Sequence, residues 1–347
     1  MIRRQLGRLW RTTRRYKNRL GPRVVILLYH RITELPLDPW LISVSPCHFA
    51  EHLEILQQYN RPVRLQQVSE ALRQKELPDR SVVITFDDGY ADNLYNAKLL
   101  LERYDVPATF FLTTGNMRCE GEFWWDELER LLLHPGSLPD VLDLSIDGIT
   151  HRWKLGEAAH YSEEAFRRYR CWRAWEDGPS LRHSLYSQLW ELLHTLPGGE
   201  RRRVMNDILR WAEAEPAVRP THRPLSPEEA FTLAQGELME IGAHTMTHPA
   251  LSALTRASQR DEILKSRSYL QEIVGCPVTS FAYPYGRRSD YNAETISIVR
   301  QAGFTCSCSN FGGIVNRATD PFQLPRVQVQ NWGGDEFAKR LRRWFDG

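Results

Sequence analysis

Short runs of consecutive apolar residues alternate along this chain with segments in which apolar residues return every three or four positions. The runs are Val24 to Tyr29, Val82 to Phe86, Ala108 to Leu112, Leu238 to Ala243, Thr279 to Tyr283, Phe304 to Cys308 and Leu324 to Val329. Rich in β-branched and aromatic residues, they predict strands buried on both faces. The periodic segments predict helices. Ser45-Pro46 supplies an N-cap and a first-turn proline for a helix in which Phe49, Leu53 and Leu56 share a face. Further helices are expected over Asn93 to Tyr104, Arg256 to Val274, Asn292 to Ala302 and Asp335 to Phe345. A strand, a helix and a strand in succession call for parallel pairing, because parallel strands need a crossover. Seven such strands predict an α/β fold, a distorted seven-stranded (β/α) barrel with its chemistry at the C-terminal strand ends.

The rhythm breaks between about residues 119 and 235. Helical patterns fill this stretch, with Trp124, Trp125, Leu128, Leu131 and Leu132 in one and Leu185, Leu189, Leu192 and Leu193 in another. The expected organisation is therefore a basic N-terminal arm (1–22), a first barrel part (23–118), a large helical insertion (119–235) and a second barrel part (236–347). The tryptophans of the insertion (124, 125, 153, 172, 175, 190 and 211) read as core anchors for the most part, with a sugar-facing role open for individual ones.

Charge adds one feature. A net charge of +2 over 347 residues excludes a dedicated nucleic-acid binder, but eight Lys or Arg and no acidic residue lie within residues 1–20. Ile2, Leu6, Leu9, Thr13, Tyr16 and Leu20 recur there at helical spacing, so a helix would be apolar on one side and basic on the other. Two readings stay open: a solvated or docked basic helix, and peripheral contact with an anionic membrane. No apolar run follows these charges before Gly21-Pro22, and none in the chain is long enough to span a bilayer, so the expected location is the cytoplasm, with the inner membrane face as its extension. The six cysteines contain no C-x-x-C pair; Cys306 and Cys308 read as small core residues.

Candidate chemistry gathers where the predicted strands stop. They end at His30, at Asp87-Asp88, at His244 and at Pro284-Tyr285-Gly286. Asp-Gly is also a common turn dipeptide, so Asp87-Asp88-Gly89 alone does not mark a site. His244 and His248 have the spacing of two ligands on a helix, but no glutamate follows the first and Pro249 disfavours helix at His248; a strand-end loop fits better. Two imidazoles and one carboxylate form a three-ligand site that leaves positions open on a catalytic divalent metal.

The segments Thr85-Phe86-Asp87-Asp88-Gly89, His244-Thr245-Met246-Thr247-His248 and Phe281-Ala282-Tyr283-Pro284-Tyr285-Gly286, in this order, resemble the motifs of the NodB-type polysaccharide deacetylases, carbohydrate esterase family 4. The resemblance implies a barrel of about seven β/α units. It implies Asp88, His244 and His248 as metal ligands, Asp87 as general base and the backbone N–H of Tyr285, held by Pro284, as oxyanion donor. The chain departs from the family pattern twice. No C-terminal histidine follows His248 to act as acid. Tyr29-His30-Arg31 instead resembles the permuted exopolysaccharide N-deacetylase branch, which implies His30 in that role. Ala282 stands where many members carry an arginine that pairs with the catalytic aspartate, and Arg326 is the candidate replacement.

The expected activity is metal-dependent hydrolysis of an N-acyl group, foremost acetyl, on an amino sugar of a glycan or lipid-linked precursor. Zinc is the default ion, with Co2+, Ni2+ and Mn2+ also suited to an Asp-His-His site. The alternatives are a deformylase acting on a lipid-linked sugar and a non-catalytic carbohydrate-binding relative.

Overall fold

The computed structural model describes residues 21–118, 121–146 and 148–346. The N-terminal arm expected over residues 1–20 lies outside them. Seven parallel strands form the central sheet: β1 (Val24–Tyr29), β2 (Ser81–Phe86), β3 (Ala108–Leu112), β4 (Met239–Ala243), β5 (Ser280–Ala282), β6 (Cys306–Cys308) and β7 (Val327–Gln328). In space they run β7-β1-β2-β3-β4-β5-β6, and a short strand at Arg61–Pro62 pairs with the start of β2. Sequential neighbours are thus spatial neighbours all the way round, as in a singly wound barrel. The two edges meet through one segment: Leu324 bridges to Cys308 of β6, and three residues later Val327 pairs with Leu27 of β1.

Most strand positions are apolar because both faces of the sheet are covered. Val25, Leu27, Tyr29, Ile84, Phe86 and Phe110 pack in one core with the surrounding helices α1 (Pro46–Tyr59), α6 (Arg256–Val274), α7 (Ala293–Gln301) and α8 (Gly334–Asp346). The alternate residues Val24, Ile26, Val83, Phe111, Cys306 and Cys308 fill a second core inside the curl. Helix α2 (Leu65–Gln74) plugs the N-terminal end of that interior with Leu65, Val68 and Leu72. With the bottom filled, only the C-terminal end of the barrel is left for a site.

The stretch 119–235 is not wholly helical. Helices α3 (Trp124–Leu133), α4 (Leu181–Leu193) and α5 (Gly198–Trp211) are joined by an antiparallel pair, Val141–Ile146 with Ile149–Lys154. The reason is a period of two: Leu142, Leu144 and Ile146 are buried while Val141, Asp143 and Ser145 are exposed, and an Asp-Gly dipeptide follows in the sequence. These elements build their own core around Leu128, Leu132, Leu185, Leu189 and Ile208, which joins the barrel through Tyr90, Leu37 and Trp40.

The described cysteines carry free thiols, and Cys306 and Cys308 are buried, as small core residues are. Among the described residues no helix is long and apolar enough to cross a membrane.

Candidate metal and hydrolytic site

Alternation along β2 decides where the two aspartates go. Val83 and Thr85 face the barrel interior, and Asp87 continues that side. Its neighbour cannot follow the strand. Gly89 donates its N–H to the Asp87 carbonyl (2.9 Å), closing a γ-turn centred on Asp88, whose φ is +72°. That turn swings the Asp88 carboxylate away from Asp87, so the adjacent acids face different partners. Gly89 itself has φ +90°, and a Cβ there would stand 2.9 Å from Leu112 Cδ2.

Asp88 faces two imidazoles. His248 Nε2 lies 3.3 Å and His244 Nε2 3.5 Å from Asp88 Oδ1, and one donor atom from each of the three residues lies within 4.8 Å of the others. His244 Nδ1 is 2.8 Å from the Ala282 carbonyl, so it is the protonated nitrogen and leaves the lone pair on Nε2. Ligand atoms about 2.0–2.2 Å from a shared cation sit at separations of this order, and the donor set of two nitrogens and one oxygen fits a divalent metal of the zinc type. Burial would raise the Asp88 carboxyl, but the facing imidazoles of His244 and His248 overcome it and hold the group well below the usual carboxylate range. Burial pushes His248 down to about 4.

Asp87 faces a cation of the chain instead. Arg326 donates Nη1 to Oδ1 (2.7 Å) and Nη2 to Oδ2 (2.6 Å), while its Nε binds the Ser309 carbonyl (2.9 Å). Against the cost of burial, this fork lowers the Asp87 pKa and keeps the group ionised. His30 lines the same pocket as Asp87, Asp88, His244 and His248. Its carbonyl is held by Asn93 Nδ2 at 2.8 Å, and its buried Nδ1 has no hydrogen-bond partner among the described residues. Burial lowers its pKa, opposed by the carboxylates of Asp88 and Asp87.

The third strand end is a second γ-turn. The Gly286 N–H binds the Pro284 carbonyl at 2.6 Å, with Tyr285 at φ +58° in the centre. Left-handed geometry at a non-glycine residue costs of order 1–3 kcal/mol, and here it leaves the Tyr285 N–H without a partner among the described residues. A Cβ on Gly286 would approach the Asn310 N to 2.6 Å, which fixes glycine at that position.

Several residues of the site carried no sequence signal. The loop 244–250, non-helical as Pro249 suggested, is clamped from both flanks. Glu262 of α6 accepts from the N–H groups of Met246 (2.9 Å) and Thr247 (2.8 Å) and from Thr247 Oγ1 (2.7 Å). Arg201 of α5, buried over the Trp124 ring, donates to the carbonyls of Thr247 and His248. Tyr90 binds Asp126 (2.8 Å) and accepts from Trp125 Nε1 (2.7 Å), whose ring packs against His248 at 4.9 Å. Of the insertion's tryptophans, Trp125 and Trp190 line the pocket; Trp40, whose ring lies tilted against Trp190 at 4.4 Å, completes the wall. The cavity they enclose with the site measures about 140 Å³.

The polysaccharide deacetylase family model matches residues 74–135 and 177–307, more than half of the chain. The gap between the matched blocks holds the hairpin Val141–Lys154, whereas α3, α4 and α5 of the insertion lie in matched sequence. The protein YxkH of Bacillus subtilis (strain 168) is 26% identical over 138 residues, 39% of this chain and 48% of that protein, so the alignment spans about half of the relative's length. Among solved structures, the deacetylase PplD of Streptococcus pyogenes, in complex with acetate, shares the fold with a TM-score of 0.53 at 19% identity, over 94% of this chain and 99% of that one. IcaB from Ammonifex degensii does so with a TM-score of 0.55 at 19% identity, over 94% and 98%. With the curled parallel sheet and the family match together, the chain belongs to the polysaccharide deacetylase family.

Proposed function

We propose that the protein removes an N-acyl group, foremost acetyl, from an amino sugar, with a divalent metal held by Asp88, His244 and His248. The observation that carries this reading is the division between neighbouring acids: Asp88 faces two imidazoles, while Asp87, 3.8 Å from His244 Nε2, is kept ionised by Arg326. When bound, zinc or a similar ion would supply Lewis acidity toward the amide carbonyl and positive charge for the developing oxyanion.

The chain's own groups account for the proton traffic. Asp87 takes the proton of the attacking water, an assignment supported by its lowered pKa and its place in the pocket lining. The unpartnered Tyr285 N–H is placed to donate to the oxyanion. His30, on the neighbouring strand end, delivers a proton to the departing amine; burial lowers its pKa, and the carboxylates of Asp88 and Asp87 oppose that shift. The aromatic wall offers apolar faces to a sugar ring and keeps bulk water from one side of the site.

Acetate release from N-acetylated amino-sugar oligomers, with and without chelator, tests the reading. Release that stops with chelator and returns with zinc is expected. Absence of release together with absence of bound metal would favour a carbohydrate-binding role; formate release from an N-formyl sugar in preference to acetate would favour the deformylase. His30→Gln is expected to lower turnover and to remove one limb of the pH–rate profile. The arm at residues 1–20 is proposed, on its sequence pattern, to contact the cytoplasmic membrane face, with vesicle binding lost on its deletion as the check.

A further inference from the structure

The rim of the pocket bears on what else the amino sugar carries. Arg287 lines the mouth, directly after the turn at Tyr285 and Gly286. Its backbone is pinned: the N–H donates to Asp290 Oδ2 (2.8 Å), and the carbonyl accepts from the Asp290 N–H (3.0 Å). Asp290 is itself buried and takes a further hydrogen bond from Ser289 Oγ (3.1 Å), so the turn 287–290 is a fixed mount. The guanidinium of Arg287 is exposed and makes no ion pair among the described residues. Arg288 beside it lies over the Phe311 ring, 4.2 Å from the centroid, and also lacks a carboxylate. By contrast, Arg152, Arg256 and Arg300 on the same molecule face carboxylates at 2.7–3.0 Å.

The pocket's charge points the same way. Asp87 is neutralised by Arg326, so the Asp88 carboxylate is the one negative charge left among the pocket-lining residues to meet a cation. A divalent ion there leaves the pocket positive, and Arg287 adds to that charge. In the same lining, Trp40 and Trp190, tilted against each other with centroids 4.4 Å apart, present apolar faces. A ligand that matches the whole mouth has a sugar ring for the tryptophans and an oxyanion for the guanidinium fork.

The geometry assigns Arg287 to an anion subsite, and with it a substrate class: an N-acylated amino sugar bearing a phosphate or carboxylate next to the reacting residue. The assignment rests on the N-deacylase reading for its kinetic test, but the subsite is also readable by binding alone. A glycosyl phosphate and a neighbouring uronic acid share this chemistry.

The kinetic experiment compares three substrates on the metal-loaded full chain: N-acetylglucosamine 1-phosphate, methyl N-acetylglucosaminide and a glucuronate–N-acetylglucosamine disaccharide. At least one anionic substrate is expected to exceed the methyl glycoside in kcat/KM by about tenfold, through KM, and to lose that lead as salt rises. In Arg287→Ala the ratio falls toward one, and Arg287→Lys restores part of it. Whichever anionic substrate shows the lead identifies the source of the anion. Equal kcat/KM for all three, or a lead that survives Arg287→Ala, overturns the subsite. Calorimetric titration with glucosamine 1-phosphate and with glucosamine separates the two readings. Tighter binding of the phosphate that Arg287→Ala abolishes, without acyl release from any substrate, sinks the deacylase reading and keeps the subsite. Equal binding of both amines sinks the subsite whatever the enzyme does.

Discussion

Arg326 and Asp87 lie 239 residues apart in the chain, yet their side chains meet edge to edge through two hydrogen bonds of 2.7 and 2.6 Å, both groups buried. The pairing occupies both Asp87 oxygens with one cation, while Asp88 Oδ1 lies 3.3 and 3.5 Å from the two imidazoles and Asp87 Oδ2 stays 3.8 Å from His244 Nε2. A bidentate fork also fixes the carboxylate plane, which a lysine could not do.

Removing either partner is expected to have different effects. Asp87→Asn should lose about 10²–10⁴ in turnover and, by leaving the buried Arg326 without its counter-charge, some stability as well. Arg326→Met leaves a buried carboxylate without its cation and is expected to cost about 3–5 kcal/mol in denaturant unfolding, part of which the double variant with Asp87→Asn should recover. Equal stability of Arg326→Met and the unsubstituted protein would contradict the pairing.

The loop that carries His248 is held by Arg201 and Glu262, with His248 itself at φ +54°. Losing an outer-shell contact typically weakens metal binding about 10–100-fold. Arg201→Met and Glu262→Gln should each do so in competition titrations of the metal-free protein, Arg201→Lys less. Unchanged affinity in all three would show that the loop holds its shape without the clamps.

Trp190 lies tilted against Trp40 and packs edge-on against Tyr285, with ring centroids 5.5 Å apart. Trp190→Ala is expected to raise KM for sugar substrates several-fold, in line with about 0.5–1.5 kcal/mol for an aromatic pair, with a smaller change in kcat. A drop in kcat with KM unchanged would place the ring's role in positioning Tyr285.

Asp126 gives a stability signature in pH. Burial pushes its carboxyl up to about 8, against the pull of Arg31 and the hydrogen bond from Tyr90. The folded state therefore keeps a proton that the unfolded chain releases near pH 4. Stability from this group is full below that pH, declines by roughly 1.4 kcal/mol per pH unit at most as pH rises, and levels off near the folded value. Denaturation midpoints taken from pH 4 to pH 8 should fall more steeply in the unsubstituted protein than in Asp126→Asn. Parallel curves would mean that Asp126 is ionised in the folded state.

Much of the barrel was legible because it rests on local patterns. The seven apolar runs are the seven strands, and the N-cap expected at Ser45 accepts the His48 N–H at 3.2 Å. The hairpin at Val141–Lys154 had a readable period of two, but helical spacing on both sides of it governed the reading of the whole stretch. Helix α2 went unread: its large apolar residues are Leu65, Val68 and Leu72, with the small Ala71 beside them, in a short segment otherwise polar.

The sequence by itself determined which groups stand at the strand ends, because a parallel strand stops where its apolar run stops and the next residues must enter the top of the barrel. His30, Asp87, Asp88, His244 and Tyr285 followed from that rule and now share one pocket. Only the tertiary structure decided which groups partner them. Arg326 reaches Asp87 because the curl brings the last strand beside the first. Arg201, Trp125 and Trp190 reach His248 and the pocket because the insertion folds back over the barrel mouth. Contacts across such separations depend on how the sheet closes and how the insertion packs, and no local pattern encodes either.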